Sequence, residues 1–232
     1  WSNAPPPPEL LALLDAVGVL LEGTPAEVNI AAVREAIAGV PGGAALPLYD
    51  ALHGSSIAHV LARHEQGAGF IAQGIARATG FPGVTLATSG PGATNLVTAV
   101  ADAYADSIPL LAITGQVPQH LIGTDAFQEV DACALFRKIT RKSFFVHDAA
   151  ELYDILPEAW QLMTSGRPGP VHIDIPKDVQ QHVTEYVPME TLQVRSPKES
   201  PQGDPQQIKK TQPLLGCLLK NEKDVQQLSN GA

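Results

Sequence analysis

The chain has 232 residues, 44% of them hydrophobic and 17% charged, which is enough apolar material for a sizeable core and excludes a chain disordered throughout. A formal net charge of -9 leaves no basic surface of the kind that draws nucleic acid or anionic membranes, so neither partner is expected. Cys133 and Cys217 lie far apart, outside any CxxC or Cys/His ligand spacing, which argues against a zinc site and a disulfide framework and fits a reducing compartment.

Residues 1–29 open with a proline-rich leader, Trp1 to Pro8, kept extended by a ring that fixes its own backbone angle and removes donors. A helix is expected over Glu9 to Leu21; Asp15 interrupts it, it is too short to cross a bilayer, and no basic segment precedes it as in a secretory signal. The first residue is Trp1 and not methionine, as in a fragment or a processed form. Gly23-Thr24-Pro25 breaks the helix. Val28 to Ile37 mixes helix formers with β-branched residues; a strand ending at Ile37 is expected, because the turn Gly39 to Gly43 needs an element to launch it.

A regular alternation follows: helix Ala44 to Leu52, strand Ile57 to Leu61, helix Glu65 to Thr79, strand Val84 to Thr88, helix Ala93 to Ala105, and an apolar run Leu110 to Thr114. After an irregular stretch, Gln116 to Ala126, the pattern predicts strand Ile139 to Val146, helix Ala149 to Thr164 and strand Val171 to Ile175. Short apolar strands between helices of this length imply the α/β class, a doubly wound parallel sheet with helices on both faces. Residues 30–182 form that domain in this reading. Residues 183–232, with Ser196 to Gln212 rich in Gln, Pro, Lys and Ser, read as a linker and the truncated start of a following domain.

Glu65 falls in the first turn of its helix, where exposed N–H groups and the helix dipole favour negative charge. Ala68, Gly69, Ala72, Ile75 and Ala76 give the helix a small-residue face for packing on a sheet, and Gly80 ends it. An acid in a first turn is ordinarily a surface residue that stabilises the dipole. Its company changes the reading, because Gly39-Val40-Pro41-Gly42-Gly43 and Thr88-Ser89-Gly90-Pro91-Gly92-Ala93-Thr94-Asn95 also follow apolar runs and open helices. Three such turns would gather at the carboxyl edge of one sheet, where α/β folds place ligands.

The common catalytic patterns are absent: no Gly-x-Ser-x-Gly, no Walker lysine after a glycine loop, no His-Glu-x-x-His. Ser89-Gly90-Pro91-Gly92 either cradles an anion at a helix N-terminus or merely turns the chain. His64 reads first as a structural histidine, the acids Asp125, Glu129 and Asp131 as a solvated helix start before a metal cluster, and Lys177 as a strand-end lysine that needs no special role. The residues imply a site with a carboxylate, glycine turns and no nucleophile. Such a site needs a cofactor, which the residues alone do not name.

Five stretches, Arg63 to Gly74, Ala87 to Leu96, Ile113 to Pro118, Ile122 to Asp131 and Ser165 to Asp178, closely resemble the acetolactate synthases (acetohydroxyacid synthases), thiamine-diphosphate enzymes that open branched-chain amino-acid synthesis. The likeness runs from about Gly39 to Gln180 and corresponds to that family's N-terminal pyrimidine-binding domain. It implies that Glu65 hydrogen-bonds N1′ of the aminopyrimidine and promotes loss of the C2 proton of the thiazolium. The deprotonated carbon then attacks pyruvate, carbon dioxide leaves, and the remainder adds to a second 2-keto acid.

The same resemblance implies that Pro41, Thr88, Pro91, Asn95 and Gln128 line the pyrimidine side of the cofactor, that Gly43, Phe127 and Lys177 border the substrate channel, and that Arg167 contacts FAD. It further implies a homodimer or homotetramer with a cofactor shared between subunits, a possible regulatory subunit, and a bacterial cytoplasmic or plastid location. The departures are equally specific. Residues before Gly39 fit poorly, the likeness fades after about Val183, and the Gly-Asp-Gly with Asn-Asn that holds Mg2+ and the diphosphate is missing, so the metal ligands and most FAD contacts are expected outside this chain. Two alternatives stay open: a non-catalytic pyrimidine-domain protein that dimerises with or regulates an intact synthase, and a related thiamine-diphosphate carboligase or decarboxylase.

Overall fold

Six strands and five α-helices alternate in a computed structural model that describes residues 36–183, together with Gln206 and Lys209. In chain order they are β1 (Ala36–Gly39), α1 (Leu46–His53), β2 (Ala58–Leu61), α2 (Glu65–Thr79), β3 (Gly83–Ala87), α3 (Pro91–Asp106), β4 (Leu110–Gln116), α4 (Ala132–Phe136), β5 (Ser143–Phe145), α5 (Leu152–Thr164) and β6 (Val171–Pro176). The strands form one sheet in the order β2-β1-β3-β4-β6-β5, and each neighbouring pair is parallel. This is the doubly wound architecture expected from the alternation. The chain divides after Lys198 into two compact units; of the second, Gln206 and Lys209 are described, both helical and exposed.

Period-2 alternation within the central strands splits the core into two layers. Leu111 and Ile113 of β4 and Val171, Ile173 and Ile175 of β6 face one layer with Leu48, Leu52, Leu156 and Met163. Leu110 and Ala112 face the other, with Leu96, Val100 and Phe136. The small face expected on α2 is buried at Ala68, Gly69, Ala72, Ile75 and Ala76, and Gly80 closes the helix in the left-handed region at φ 75°.

Three expectations need correction. The strand placed at Ile139 to Val146 shrinks to Ser143–Phe145, because the chain first turns: the Ile139 amide and the Thr140 hydroxyl both donate to the Phe136 carbonyl, completing a helix, α4, that the sequence reading lacked. The first strand does not stop at Ile37, since its pairing with β2 and β3 continues to Gly39. Finally, among the described residues β2 is an edge strand, and its apolar residues are not interior: Leu61 is 67% exposed. The expectations for residues 1–29 and 184–232 lie outside the described residues, Gln206 and Lys209 excepted.

Candidate active site at the carboxyl edge

The turns after β1, β2 and β3 lie side by side, because those strands are neighbours and parallel. The chain departs from β1 to β2 on one side and returns to β3 on the other. That change of direction is the switch point at which open α/β sheets form a crevice.

Glu65 is the first residue of α2. His64 before it caps the helix, its Nδ1 accepting the Gln66 amide at 3.1 Å, which settles His64 as structural. The Glu65 carboxylate is half-buried, and its Oε2 accepts a 2.9 Å hydrogen bond from Asn95 Nδ2 on α3. Residues 30 positions apart are thus joined at the ends of two helices.

Thr88 ends the β3 run and is buried, with its Oγ1 accepting the Ala44 amide at 3.1 Å. It ties the turn after β1 to the turn after β3. Gly92 fills the space between Thr88 and Glu65. A Cβ built there would lie 2.7 Å from Thr88 Cγ2 and in ordinary contact, 3.6 Å, with Glu65 Oε1, so the first turn of α3 packs this closely on Thr88 because the position has no side chain. Gly90 is constrained twice, by a backbone at φ 55° and by the Gln128 carbonyl oxygen, 2.5 Å from where its Cβ would stand. Gln128 itself sits at φ 61°.

The structure therefore gathers Glu65, Asn95, Thr88 and, through Gly90, the backbone of Gln128. Pro91 starts α3 and is exposed, and Pro41 is exposed next to Gly42, whose own Cβ would strike Thr88. Gly43 faces open space, and Phe127 is 87% exposed beside Gln128. Lys177 follows β6, which β4 separates from β3. Arg167 stands apart, ahead of the first residue of β6 at the amino edge of the sheet. Its guanidinium closes the C-terminus of α3, with Nε donating to Ser107 Oγ at 2.6 Å and Nη2 to the Ala105 carbonyl at 2.9 Å.

Two features of this region have no counterpart in the sequence reading. Tyr49 on α1 donates its hydroxyl to the Leu86 carbonyl at 3.1 Å; burial first, and then the charge of Glu65, push that hydroxyl far above its ordinary range, so it stays a neutral donor. Behind the edge runs a buried polar chain. Thr114 Oγ1 donates to Asp174 Oδ1 at 2.5 Å and meets His172 Nε2 at 2.8 Å, His172 Nδ1 meets Ser143 Oγ at 2.7 Å, and Gln116 Nε2 reaches both Asp174 Oδ2 and the Val130 carbonyl. His172 also stacks on Phe136 with ring centroids 4.1 Å apart. Nothing in Val171-His172-Ile173-Asp174 announces this, because the alternation places both polar residues inward on a face that only the fold shows to be covered.

A half-buried carboxylate steadied by an amide thus stands at the switch point, beside the glycine turns that follow β1 and β3. Residues 30–135, just under half of the chain, match the model for the thiamine pyrophosphate enzyme, N-terminal TPP binding domain. The similarity is to acetolactate synthases. The chain is 61% identical over 150 residues to the acetolactate synthase isozyme 1 large subunit of Escherichia coli, covering 64% of this chain and 27% of that one. It is 51% identical over 182 residues to a probable acetolactate synthase large subunit of Methanocaldococcus jannaschii (77% and 31%), and 54% identical over 150 residues to the chloroplastic acetolactate synthase of Arabidopsis thaliana (64% and 22%). The chain thus spans between about a fifth and a third of the length of these relatives.

Proposed function

We propose that this chain is the pyrimidine-binding part of an acetolactate synthase, with residues 30–182 as that domain and residues 183–232 leading into a following one. The observation that carries the reading is the Glu65–Asn95 pair at the switch point. Bound thiamine diphosphate supplies a C2 proton that can be removed and an electron sink for the decarboxylation of pyruvate. Glu65 holds a proton at N1′ of the pyrimidine through Oε1, while Asn95 fixes Oε2 and so the orientation of the carboxylate. Gly92 admits the ring beside the carboxylate, and Thr88, Pro41, Pro91 and Gln128 border it.

Gly43, Phe127 and Lys177 border the path of the two 2-keto acids in this proposal. Among the described residues no three His, Cys, Asp or Glu side chains group so as to hold a metal, and the Mg2+ that anchors the diphosphate is assigned to ligands outside this chain. Arg167 contacts FAD at the amino edge, away from the chemistry, using the guanidinium edge not turned to Ser107 and Ala105. A homodimer or homotetramer completes the site, with a regulatory subunit as a further partner, in the bacterial cytoplasm or a plastid; among the described residues no helix is long and apolar enough to cross a membrane.

The test is C2 proton exchange of bound thiamine diphosphate, followed by NMR in deuterated buffer in the protein as it occurs in its source. Glu65→Gln should slow exchange by roughly 10²- to 10⁴-fold, the range for a positioned acid-base group. Exchange at the unmutated rate would remove Glu65 from the mechanism.

A further inference from the structure

The loop from Gly123 to Gln128 enters the left-handed region three times, the last time at a residue that disfavours it. Gly123 at φ 81°, Asp125 at φ 56° and Gln128 at φ 61° all lie in the left-handed region. Glycine enters that region freely and aspartate tolerates it, whereas a glutamine there is uncommon and needs an outside constraint. Glu129 supplies one. Its Oε1 accepts the Gly123 amide and its Oε2 the Ala126 amide at 3.1 Å, so one carboxylate clasps the loop at two points. Those amides, Gly123 first, hold the Glu129 carboxyl below the ordinary carboxylate range. The acids that looked like one cluster in the sequence have separate tasks, since Asp131 caps α4 through the Ala134 amide at 2.8 Å. At its far end the loop presses the Gln128 backbone against Gly90, the turn that starts α3 and leads to Asn95 and Glu65.

We propose that Glu129 is a positioning residue for the cofactor site: its carboxylate holds the 123–128 loop in a strained shape that seats Gln128 on the Gly90 turn, and so sets affinity for thiamine diphosphate without touching it. The inference rests on the reading of Gln128 as a pyrimidine-side residue, and goes beyond it by naming what keeps that residue in place.

Glu129→Ala, Glu129→Ala combined with Asp125→Gly, and Gln128→Ala would be compared in the native protein by amide hydrogen exchange without ligand and by calorimetric titration with thiamine diphosphate and magnesium. Glu129→Ala should speed exchange at Gly123 and Ala126 by about tenfold or more, leave β3 and β4 amides at native rates, and weaken binding by about tenfold, the loss expected for a charge-assisted hydrogen bond. Adding Asp125→Gly gives that left-handed position the residue that enters it most freely and should restore part of that affinity. Native affinity in Glu129→Ala beside weakened binding in Gln128→Ala would overturn the clasp and spare the site. Native affinity in Gln128→Ala would remove the site reading for this loop and the inference with it. Exchange accelerated throughout the sheet, or no recovery on adding Asp125→Gly, would also overturn the proposal.

Discussion

Glu65 and Asp174 are both carboxyl side chains near the carboxyl edge of one parallel sheet, and the fold treats them in opposite ways. Glu65 is half-buried and has a single side-chain donor, Asn95. Asp174 is 1% exposed and receives hydrogen bonds from Thr114 and Gln116 at separate oxygens; burial pushes its carboxyl up to about 7, against the pull of those two donors. The position just outside the sheet leaves a carboxylate with unspent capacity and room beside it. The position inside commits both oxygens to protein donors, so its polarity becomes architecture.

The largest expected difference lies in stability. Thr114→Val takes a partner from Asp174 and from His172 together, both buried, and should destabilise by about 2–4 kcal/mol in denaturant unfolding. Glu65→Gln should stay within about 0.5 kcal/mol by the same measurement. Comparable losses from the two would erase the contrast. Between them stands Gly92→Ala, whose methyl would press Thr88 Cγ2; we expect about 1–3 kcal/mol from overpacking and weaker thiamine diphosphate binding, read by unfolding and calorimetry on one sample.

The last contrast is a slope. Burial lowers His172 to about 3 from 6.5 while it raises Asp174 to about 7 from 3.8. The Asp174 contribution is full below pH 3.8 and is lost as pH rises through about 7; that of His172 is full above 6.5 and is lost as pH falls towards about 3. Between 3.8 and 6.5 the unfolded pair carries one proton, on histidine, and the folded pair also carries one, on aspartate, so their slopes cancel. His172→Leu should expose the Asp174 term alone: stability then falls as pH rises from 4 towards 7, by at most about 1.4 kcal/mol per pH unit. A flat profile in the variant would show that the carboxyl of Asp174 is not raised.

What could be read in the sequence was whatever local chemistry dictates. The α2 boundaries at Glu65 and Thr79 emerged because an acidic first turn and Gly80 mark them, and the gathering of the Gly39, Glu65 and Ser89 turns followed from alternation alone. Hidden were features fixed by distant partners. The start of β5 depends on Thr140 bonding back to Phe136, and the exposure of Leu61 depends on no strand among the described residues lying beyond β2. The Ser143–His172–Thr114–Asp174 chain needs three strands in register before its members meet. The roles of Gly90 and Gly92 were half visible: glycine marked a turn, but the atoms that require it belong to Gln128 and Thr88.

That last contact has a consequence for how this surface can vary. At Gly92 and Gly90 the wall of the site is formed by the absence of atoms, so a saturation library should return little but glycine there, whereas Gly43, facing open space a few residues away in the neighbouring turn, should accept alanine and larger residues. Diversity is therefore expected at the Gly43 turn, while the Gly90 and Gly92 positions stay monomorphic.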